Sequence, residues 1–524
     1  MISRHCLYFI GAVLSGIMLG VSFPSFNIST LIFISLVPLL FVIQAVSLKY
    51  VILYSWLSGL IFFSISLSWL YNITNTINGV LFVSGTILGF VILVSYCALY
   101  FIPFGVIALY GIRSWAGSSI LKNIQLMFVL SMSWCGLEYF RSILFTGFSW
   151  NALGVSQYAN PAIIQIADKG GVAAVSALIV WMNVGVFITL YQYKTRERIN
   201  SYRPHIEFLL GILPLAFAIM YGMNKLYNPP KYSEEVQIAL VQPNISQLNK
   251  RNMSHDSIRK KLEKLSTIVL QSDNVDLLVW PETALPDYPR FSQRSLDLIN
   301  NITITKTPLL TGAMDYRNTE KGLYYYNSSI LFLNKSDIEK VYDKQHLVPF
   351  GEYVPYPDLF RSITPLDSDF SAGSSSDVFL VKKVPPFSVL ICFEDTISRL
   401  ASNSIKKGAK WIINQTNDAW FDPSSQSEQH LAHAVFRCVE NGVPMARCCN
   451  TGVTCIIDIF GRIKQRINIR SEGFLIGTVD IHADNTELTF YTRYGDLFSK
   501  IGVLILTLSI VFISLNHYKR TSSN

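Results

Sequence analysis

Apolar residues run in long blocks through the first 222 positions, broken by short polar stretches such as Asn72-Ile-Thr-Asn-Thr-Ile-Asn78. A bilayer core takes roughly 20 apolar residues as helix, because hydrocarbon offers no partner to an unpaired backbone group. Eight blocks meet this requirement as candidate spans: 6–22, 30–47, 51–70, 80–112, 123–140, 171–192, 208–222 and 499–515. The fourth is too long for one untilted crossing, and Pro103 is placed to kink it or end its membrane part. The first shows no small-residue cleavage site and is followed at once by another span, which separates it from a signal peptide.

Between Met223 and Ser499 the pattern changes to short apolar runs. Val236–Gln242, Asp276–Trp280, Pro308–Gly312, Tyr324–Leu333, Phe387–Cys392, Lys410–Asn414, Thr451–Ile459 and Phe474–Ile481 read as strands. Helical stretches lie between several of them, at about 255–271, 291–301, 396–407 and 427–441. The helix from His255 places Ile258, Leu262, Leu265 and Ile268 on one face. Alternating strands and helices predict a layered α/β domain. Ser371–Ser376 reads as a short Ser/Gly loop. The division expected is a membrane domain over 1–222 with seven transmembrane helices, a catalytic domain over 223–498, and a C-terminal transmembrane helix with a tail over 499–524.

Charge sharpens this division. Only 15% of the 524 residues are charged, against about 25% in soluble domains. Residues 1–222 hold 14 of the charged side chains and the rest of the chain holds 64, and Tyr50–Ile112 contains none. With a cytoplasmic N-terminus, Arg4, Lys49, Arg113, Lys122, Lys194, Arg196, Arg198, Arg203, Lys519 and Arg520 fall on one side of eight spans. Both termini are then cytoplasmic and residues 223–498 face outward, with Arg141 and Lys169 as exceptions in an outer loop. The net charge of +8 includes no long basic run, so nucleic acid is a poor partner.

Three polar residues follow apolar runs closely: Glu282, Lys344 and Cys392. Residues just past strand ends converge on one crevice in α/β sheets. The types suit covalent catalysis, with a thiol as nucleophile, a shielded carboxylate as its base and an ammonium to stabilise an oxyanion. Each alone is weak: a cysteine is usually core, a glutamate after Trp-Pro a turn or cap, a lysine a surface charge. His346 is a less favoured base. His430 and His433 sit at i, i+3 with no third ligand, which favours a plain helix face over a metal site. Cys438, Cys448, Cys449 and Cys455 leave room for a disulfide, and the spacing excludes a zinc framework. Glu138 and Arg141, at a span end, read as headgroup or snorkelling contacts.

Longer segments carry a resemblance. Trp280-Pro-Glu-Thr-Ala-Leu-Pro286, Tyr342-Asp-Lys-Gln-His-Leu-Val-Pro-Phe-Gly-Glu-Tyr-Val-Pro355, Ile391-Cys-Phe-Glu394, Asn417-Asp-Ala-Trp-Phe421, Val241–Ile245, Asn450–Thr454 and Phe145–Trp150 resemble apolipoprotein N-acyltransferases, the integral-membrane branch of the nitrilase superfamily. The resemblance implies a membrane α-helical bundle of eight transmembrane helices carrying a nitrilase-like αββα sandwich. It implies a triad of Glu282 as base, Lys344 as oxyanion stabiliser and Cys392 as nucleophile, with Glu352 and Glu394 supporting. Trp420, Phe421, Phe350 and Tyr353 would line substrate or a lid within 350–375. The implied partners are the membrane, a phospholipid acyl donor and a diacylated apolipoprotein acceptor, acting on a monomer in the bacterial inner membrane with the catalytic domain in the periplasm. No cofactor or metal is implied. The sequence departs from the family at Phe393, where tyrosine is common, at Arg251, where some members have tryptophan, and at Asp422, where glycine is usual. Two rivals stay open: a membrane-anchored amidase using the same triad, and a transporter with an external domain.

Overall fold

The computed structural model describes residues 4–75, 80–195, 206–247, 250, 253–271, 275–320, 322–334, 337–364, 369–375, 377–421, 424–482 and 487–522. Arg196, Arg198, Arg203, Arg251, Asp422, Ser376 and residues 365–368 of the expected lid lie outside them. The chain divides into two compact units, one of Met1–Leu70, Leu88–Asn228 and Tyr494–Asn524, the other of Tyr71–Ile87 and Pro229–Arg493.

The first unit is helical. Its elements are α1 (Arg4–Val21), α2 (Val37–Ala45), α3 (Leu48–Ser66), the part of α4 (Val80–Leu99) from Leu88 onward, α5 (Phe101–Trp115), α6 (Ile120–Ile143), α7 (Ala167–Thr195) and α8 (Ile206–Tyr227), and a C-terminal helix Leu497–Ser522. Among the described residues, seven helices are long and apolar enough to cross a membrane, with α4 and α5 joined as the single stretch Val83–Trp115. The span expected over 30–47 differs. It is split into a 3-10 turn, Ser29–Ile34, and the nine-residue α2, which rises only about 14 Å against a core of about 30 Å. Asn183 on α7 sustains the break, accepting from Leu36 N at 2.7 Å and donating to Ile32 O at 2.8 Å. Backbone groups released from a helix inside an apolar bundle need such partners.

Leu7, Phe9, Leu14 and Ile17 of α1 and Leu504, Leu508 and Phe512 of the C-terminal helix are exposed, as lipid-facing positions should be. Glycines set the closest crossings. A Cβ on Gly136 of α6 would stand 2.7 Å from the Gly502 carbonyl of the C-terminal helix, so only paired small residues let these backbones approach. Arg141 does not snorkel. It is 3% exposed and donates to Phe148 O at 2.9 Å and Trp150 O at 2.7 Å.

The second unit holds two six-stranded sheets. Its strands are β1 (Tyr232–Gln242), β2 (Leu277–Trp280), β3 (Leu309–Thr319), β4 (Gly322–Phe332), β5 (Ile338–Asp343), β6 (Val378–Val381), β7 (Val384–Ile391), β8 (Trp411–Thr416), β9 (Met445–Cys449), β10 (Cys455–Ile457), β11 (Ile463–Arg466) and β12 (Gly473–His482). The sheet orders are β12-β1-β2-β3-β4-β5 and β11-β10-β9-β8-β7-β6, with parallel cores β1-β2-β3 and β7-β8-β9. Its helices are α9 (His255–Leu270), α10 (Gln293–Thr303), α11 (Ser398–Lys406) and α12 (Gln426–Asn441).

Period-two alternation sorts the layers. Val236, Ile238 and Leu240 of β1 enter a core shared with Phe387, Val389, Ile391, Trp411 and Ile413 of the other sheet. Ala239 and Val241 face the opposite way, onto Ile258, Leu262 and Val269 of α9 and Leu298 and Ile302 of α10. With α11 against β7 and α12 beside α11 and the turn that follows β7, the result is a four-layer α–β–β–α sandwich. The segment read as one strand over 451–459 contains only the short β10, and β9 begins six residues earlier, at Met445.

Candidate active site

Glu282 lies two residues past β2, Cys392 directly past β7 and Lys344 directly past β5. The strands are pinned by fully buried residues, such as Leu277 and Val279 on β2 and Phe387 and Ile391 on β7. A polar residue one or two positions beyond such a run must leave the core at the sheet's end. Two of the turns are left-handed: φ is 44° at Thr283 and 52° at Cys392. That geometry costs a non-glycine residue about 1–2 kcal/mol. Gly312 permits the Glu282 turn, since a Cβ there would sit 2.5 Å from both Pro281 O and Glu282 Cα.

The three side chains meet. Lys344 Nζ is 3.7 Å from Glu282 Oε1 and 2.8 Å from Glu352 Oε1. Glu282 is hydrogen-bonded to the Cys392 side chain. Asn327, on β4, donates to Glu282 Oε1 at 2.7 Å and to Glu352 Oε1 at 2.9 Å, bridging the two carboxylates. Glu352 Oε2 also accepts from Val348 N at 2.8 Å. Lys344 is 1% exposed, Glu282 7% and Glu352 9%, so these charges act on one another with little water between them.

Burial pushes the Glu282 carboxyl above its usual range, Glu352 adds to the rise, and Lys344 opposes it. Burial raises the Cys392 thiol as well, with Glu282 adding and Lys344 opposing. At Lys344 burial works against the charge, but Glu352 and Glu282 together outweigh it and hold the ammonium above the usual lysine range. The resting site therefore keeps a permanent cation beside a carboxyl that readily holds a proton. Such an arrangement suits a thiol that loses its proton to the neighbouring acid as it attacks.

Glu394 is a second buried carboxyl, 0% exposed. It accepts from the Tyr342 hydroxyl at 2.9 Å, Gln345 N at 2.7 Å, His346 N at 3.1 Å and Ile391 N at 2.8 Å. It thereby ties the strand leading to Lys344 to the strand leading to Cys392. Burial raises it to about 7, opposed by those backbone donors. Phe350 is 47% exposed and packs edge-on against Phe360, while its amide donates to Tyr353 O at 2.7 Å. Trp420 is 39% exposed on the turn after β8, with Phe421 beside it.

Sequence reasoning missed Asn327, whose only signal is a polar residue within the strand Tyr324–Leu333. It also read His430 as a helix face, whereas the ring is 1% exposed between two carboxylates. His346 lies flat on Phe393, with ring centres 5.9 Å apart, and burial lowers it to about 4. All eight cysteines are free thiols. Among the described residues no group of three or more His, Cys, Asp or Glu is placed to hold a metal.

Known proteins match this chain over most of its length. Residues 15–185 match the model of the apolipoprotein N-acyltransferase N-terminal domain, and residues 237–484 match that of the carbon-nitrogen hydrolases. The apolipoprotein N-acyltransferase of Geobacter metallireducens is 35% identical over 497 residues, covering 93% of this chain and 92% of its own. The chain belongs to the apolipoprotein N-acyltransferase family. Apolipoprotein N-acyltransferase 1 of Treponema denticola is 27% identical, covering 98% of this chain and 97% of its own. Among solved structures, a nitrilase-superfamily protein of Saccharomyces cerevisiae is 18% identical with a TM-score of 0.37, covering 50% of this chain and 96% of its own. Membership in this family, with its two matched regions, accounts for an apolar helical part and a carbon-nitrogen hydrolase part in one chain.

Proposed function

We propose that this protein moves an acyl chain from a membrane phospholipid onto the α-amino group of the S-diacylglyceryl cysteine that begins an apolipoprotein, the last step of lipoprotein maturation. Family membership supports the overall reaction. The observation that carries the chemistry is the meeting of Glu282, Lys344 and Cys392 at three strand ends.

The reaction has two halves. In the first, Glu282 takes the proton from Cys392 Sγ and the sulfur attacks the ester carbonyl carbon of the phospholipid. The carbonyl electron pair moves to oxygen, where Lys344 Nζ stabilises it. The intermediate collapses, the carbon–oxygen bond of the ester breaks, and the departing lysophospholipid takes the proton back from Glu282. A thioester remains on Cys392. In the second half, the acceptor amine attacks that thioester and gives its proton to Glu282. The carbon–sulfur bond breaks, an amide forms, and the thiolate recovers the proton. Glu352 holds Lys344 in place. Glu394 holds the two strand ends, and Phe350, Tyr353, Trp420 and Phe421 line the substrates.

The domain limits follow the sequence reading, 1–222, 223–498 and 499–524. The broken segment Ser29–Ala45 completes the eighth crossing, both termini are cytoplasmic, and the catalytic domain faces the periplasm of a bacterial inner membrane. The acyl donor, the diacylated acceptor and the bilayer are the partners of a monomer that uses no cofactor. Labelling from a radiolabelled phospholipid tests the chemistry. Wild-type protein should retain label as a hydroxylamine-sensitive adduct, and Cys392→Ala should retain none. Undiminished label in Cys392→Ala removes the proposed nucleophile. Reporter fusions after Arg203 and Lys231 should report opposite sides of the membrane.

A further inference from the structure

Beneath the Cys392 turn lie four buried charges that the two half-reactions leave unused. They are Asp395 in the turn itself, Asp418 in the 3-10 turn after β8, His430 on α12 and Arg447 on β9. None of their side chains is more than 1% exposed. His430 Nε2 stands 2.9 Å from Asp395 Oδ1, and Nδ1 stands 3.0 Å from Asp418 Oδ1. Nδ1 bonds the Asp418 carboxylate and Nε2 the Cys392 carbonyl, 3.3 Å away, and since both groups accept, both nitrogens carry a hydrogen. The ring is therefore an imidazolium. Burial alone would discharge it, but Asp395 and Asp418 outweigh burial and Arg447, raising it to about 9. Arg447 completes the set, bonded to Asp395, 3.0 Å from Asn414 Oδ1 and 3.6 Å from Asp418 Oδ2. Two cations and two anions balance.

This quartet touches the nucleophile at both ends. Its His430 Nε2 reaches the Cys392 carbonyl at 3.3 Å. At the other end, Thr416 bonds the Cys392 thiol, and the same hydroxyl donates to Asp418 Oδ1 at 3.4 Å. The charges around the thiol are Glu282, Lys344 and Asp418. Those around the imidazole are Asp395, Asp418 and Arg447, with neutral Gln426 of its own helix bonding Asp418 at 3.2 Å. Farther along α12, Arg437 pairs with Glu440 at 2.7 Å and reaches Thr396 O rather than this group. Among the described residues, Asp418 is thus the anion that faces both the thiol and His430.

We propose that His430 is a positioning residue for the acyl transfer, acting through Cys392. Its imidazolium pins the carbonyl of a left-handed residue, and it cancels the field that Asp418 exerts on the thiol. The inference rests on Cys392 being the nucleophile, as proposed above.

The test uses the full-length protein in detergent, with two readouts. One is the rate of Cys392 alkylation by iodoacetamide from pH 7 to 10, followed by peptide mass spectrometry. The other is steady-state acyl transfer from phospholipid to a diacylated lipopeptide. In H430Q, alkylation at pH 8 should slow at least tenfold, and kcat should fall at least tenfold with KM for the phospholipid changed less than twofold. D418N should shift alkylation the other way, making it faster than wild type, because the carboxylate that disfavours the thiolate is gone. The double variant H430Q/D418N should return to within about threefold of wild type. A role confined to packing would loosen the turn and accelerate alkylation in both single variants. Alkylation of H430Q at or above the wild-type rate overturns the proposal. If H430Q does not fold, D418N decides, and a rate at or below wild type overturns it equally. Acyl transfer that survives in C392A refutes the proposed nucleophile whatever His430 does. An inactive C392A beside an unaltered H430Q refutes the positioning role alone.

Discussion

Replacing Lys344 with methionine tests what reconciles the two carboxylates of the site. Lys344 stands 3.7 Å from Glu282 and 2.8 Å from Glu352. At an effective dielectric of about 20, those separations correspond to gross attractions of roughly 4.5 and 6 kcal/mol. Burying the ammonium offsets much of this, and removing one partner of a buried pair typically costs about 3–5 kcal/mol net. Lys344→Met also leaves Glu282 and Glu352 sharing the single amide of Asn327, at 2.7 and 2.9 Å. The variant should therefore unfold about 3–5 kcal/mol more easily than wild type at pH 8. The loss should shrink as the pH falls, because the Glu282 carboxyl, pushed up by burial, takes up a proton. Adding Glu352→Gln removes the second charge while keeping an acceptor for Val348 N. The double variant should recover most of the stability and remain inactive. Denaturant unfolding in detergent, followed by tryptophan fluorescence at pH 8 and pH 5, measures all four corners of the cycle. Equal losses in the single and double variants, or a loss that ignores pH, would refute the assignment of Lys344 as the charge that holds these acids together.

Glu282→Gln keeps the Asn327 contact but cannot accept a proton, so thioester formation should slow roughly 10²–10⁴-fold, read by rapid-quench labelling; an unchanged rate assigns the base elsewhere. Gly312→Ala drives a Cβ into Pro281 O and Glu282 Cα, each 2.5 Å away. Overpacking of this kind costs about 1–3 kcal/mol, and turnover should fall in a protein that still folds, as thermal melting and activity together would reveal. Glu394, raised to about 7 by burial, binds its proton more tightly folded than unfolded. Its stabilising contribution is complete below about pH 4.3 and is lost as the pH climbs through 7, a difference of about 4 kcal/mol. Glu394→Gln should flatten that part of the stability–pH curve, and an unchanged slope between pH 4 and 7 would place the titration on another group.

Much of this architecture is legible in one dimension because its signals are local. The charge-free stretches Tyr50–Ser66 and Leu88–Ile112 read directly as apolar helix, and the structure places them in α3, α4 and α5. The alternation in Val236–Gln242 states which faces of β1 are covered, and the structure puts Ile238 and Ala239 on opposite cores. The broken segment at 29–45 was not legible, because its cause sits about 150 residues away in Asn183. Pattern places Glu282, Lys344 and Cys392 at strand ends. It gives no register between strands, so it could not bring Asn327 of β4 between two acids. Nor could it show His430 between Asp395 and Asp418. A histidine on a helix face beside Gln426 and His433 carries no mark of its partners when these come from two other segments.

Gly136 and Gly502 meet at a close crossing of the helical unit, yet roughly 360 residues separate them along the chain. At about 5–20 residues per second of synthesis, α6 waits roughly 20–70 seconds for the helix that fills its groove. Meanwhile both sheets of the sandwich have left the ribosome. The bundle is thus completed last, after the part of the chain that it flanks. A truncation or stop codon before Ser499 would leave a seam open along α6 in a protein whose sandwich segment is already complete, and cellular quality control would meet that seam first.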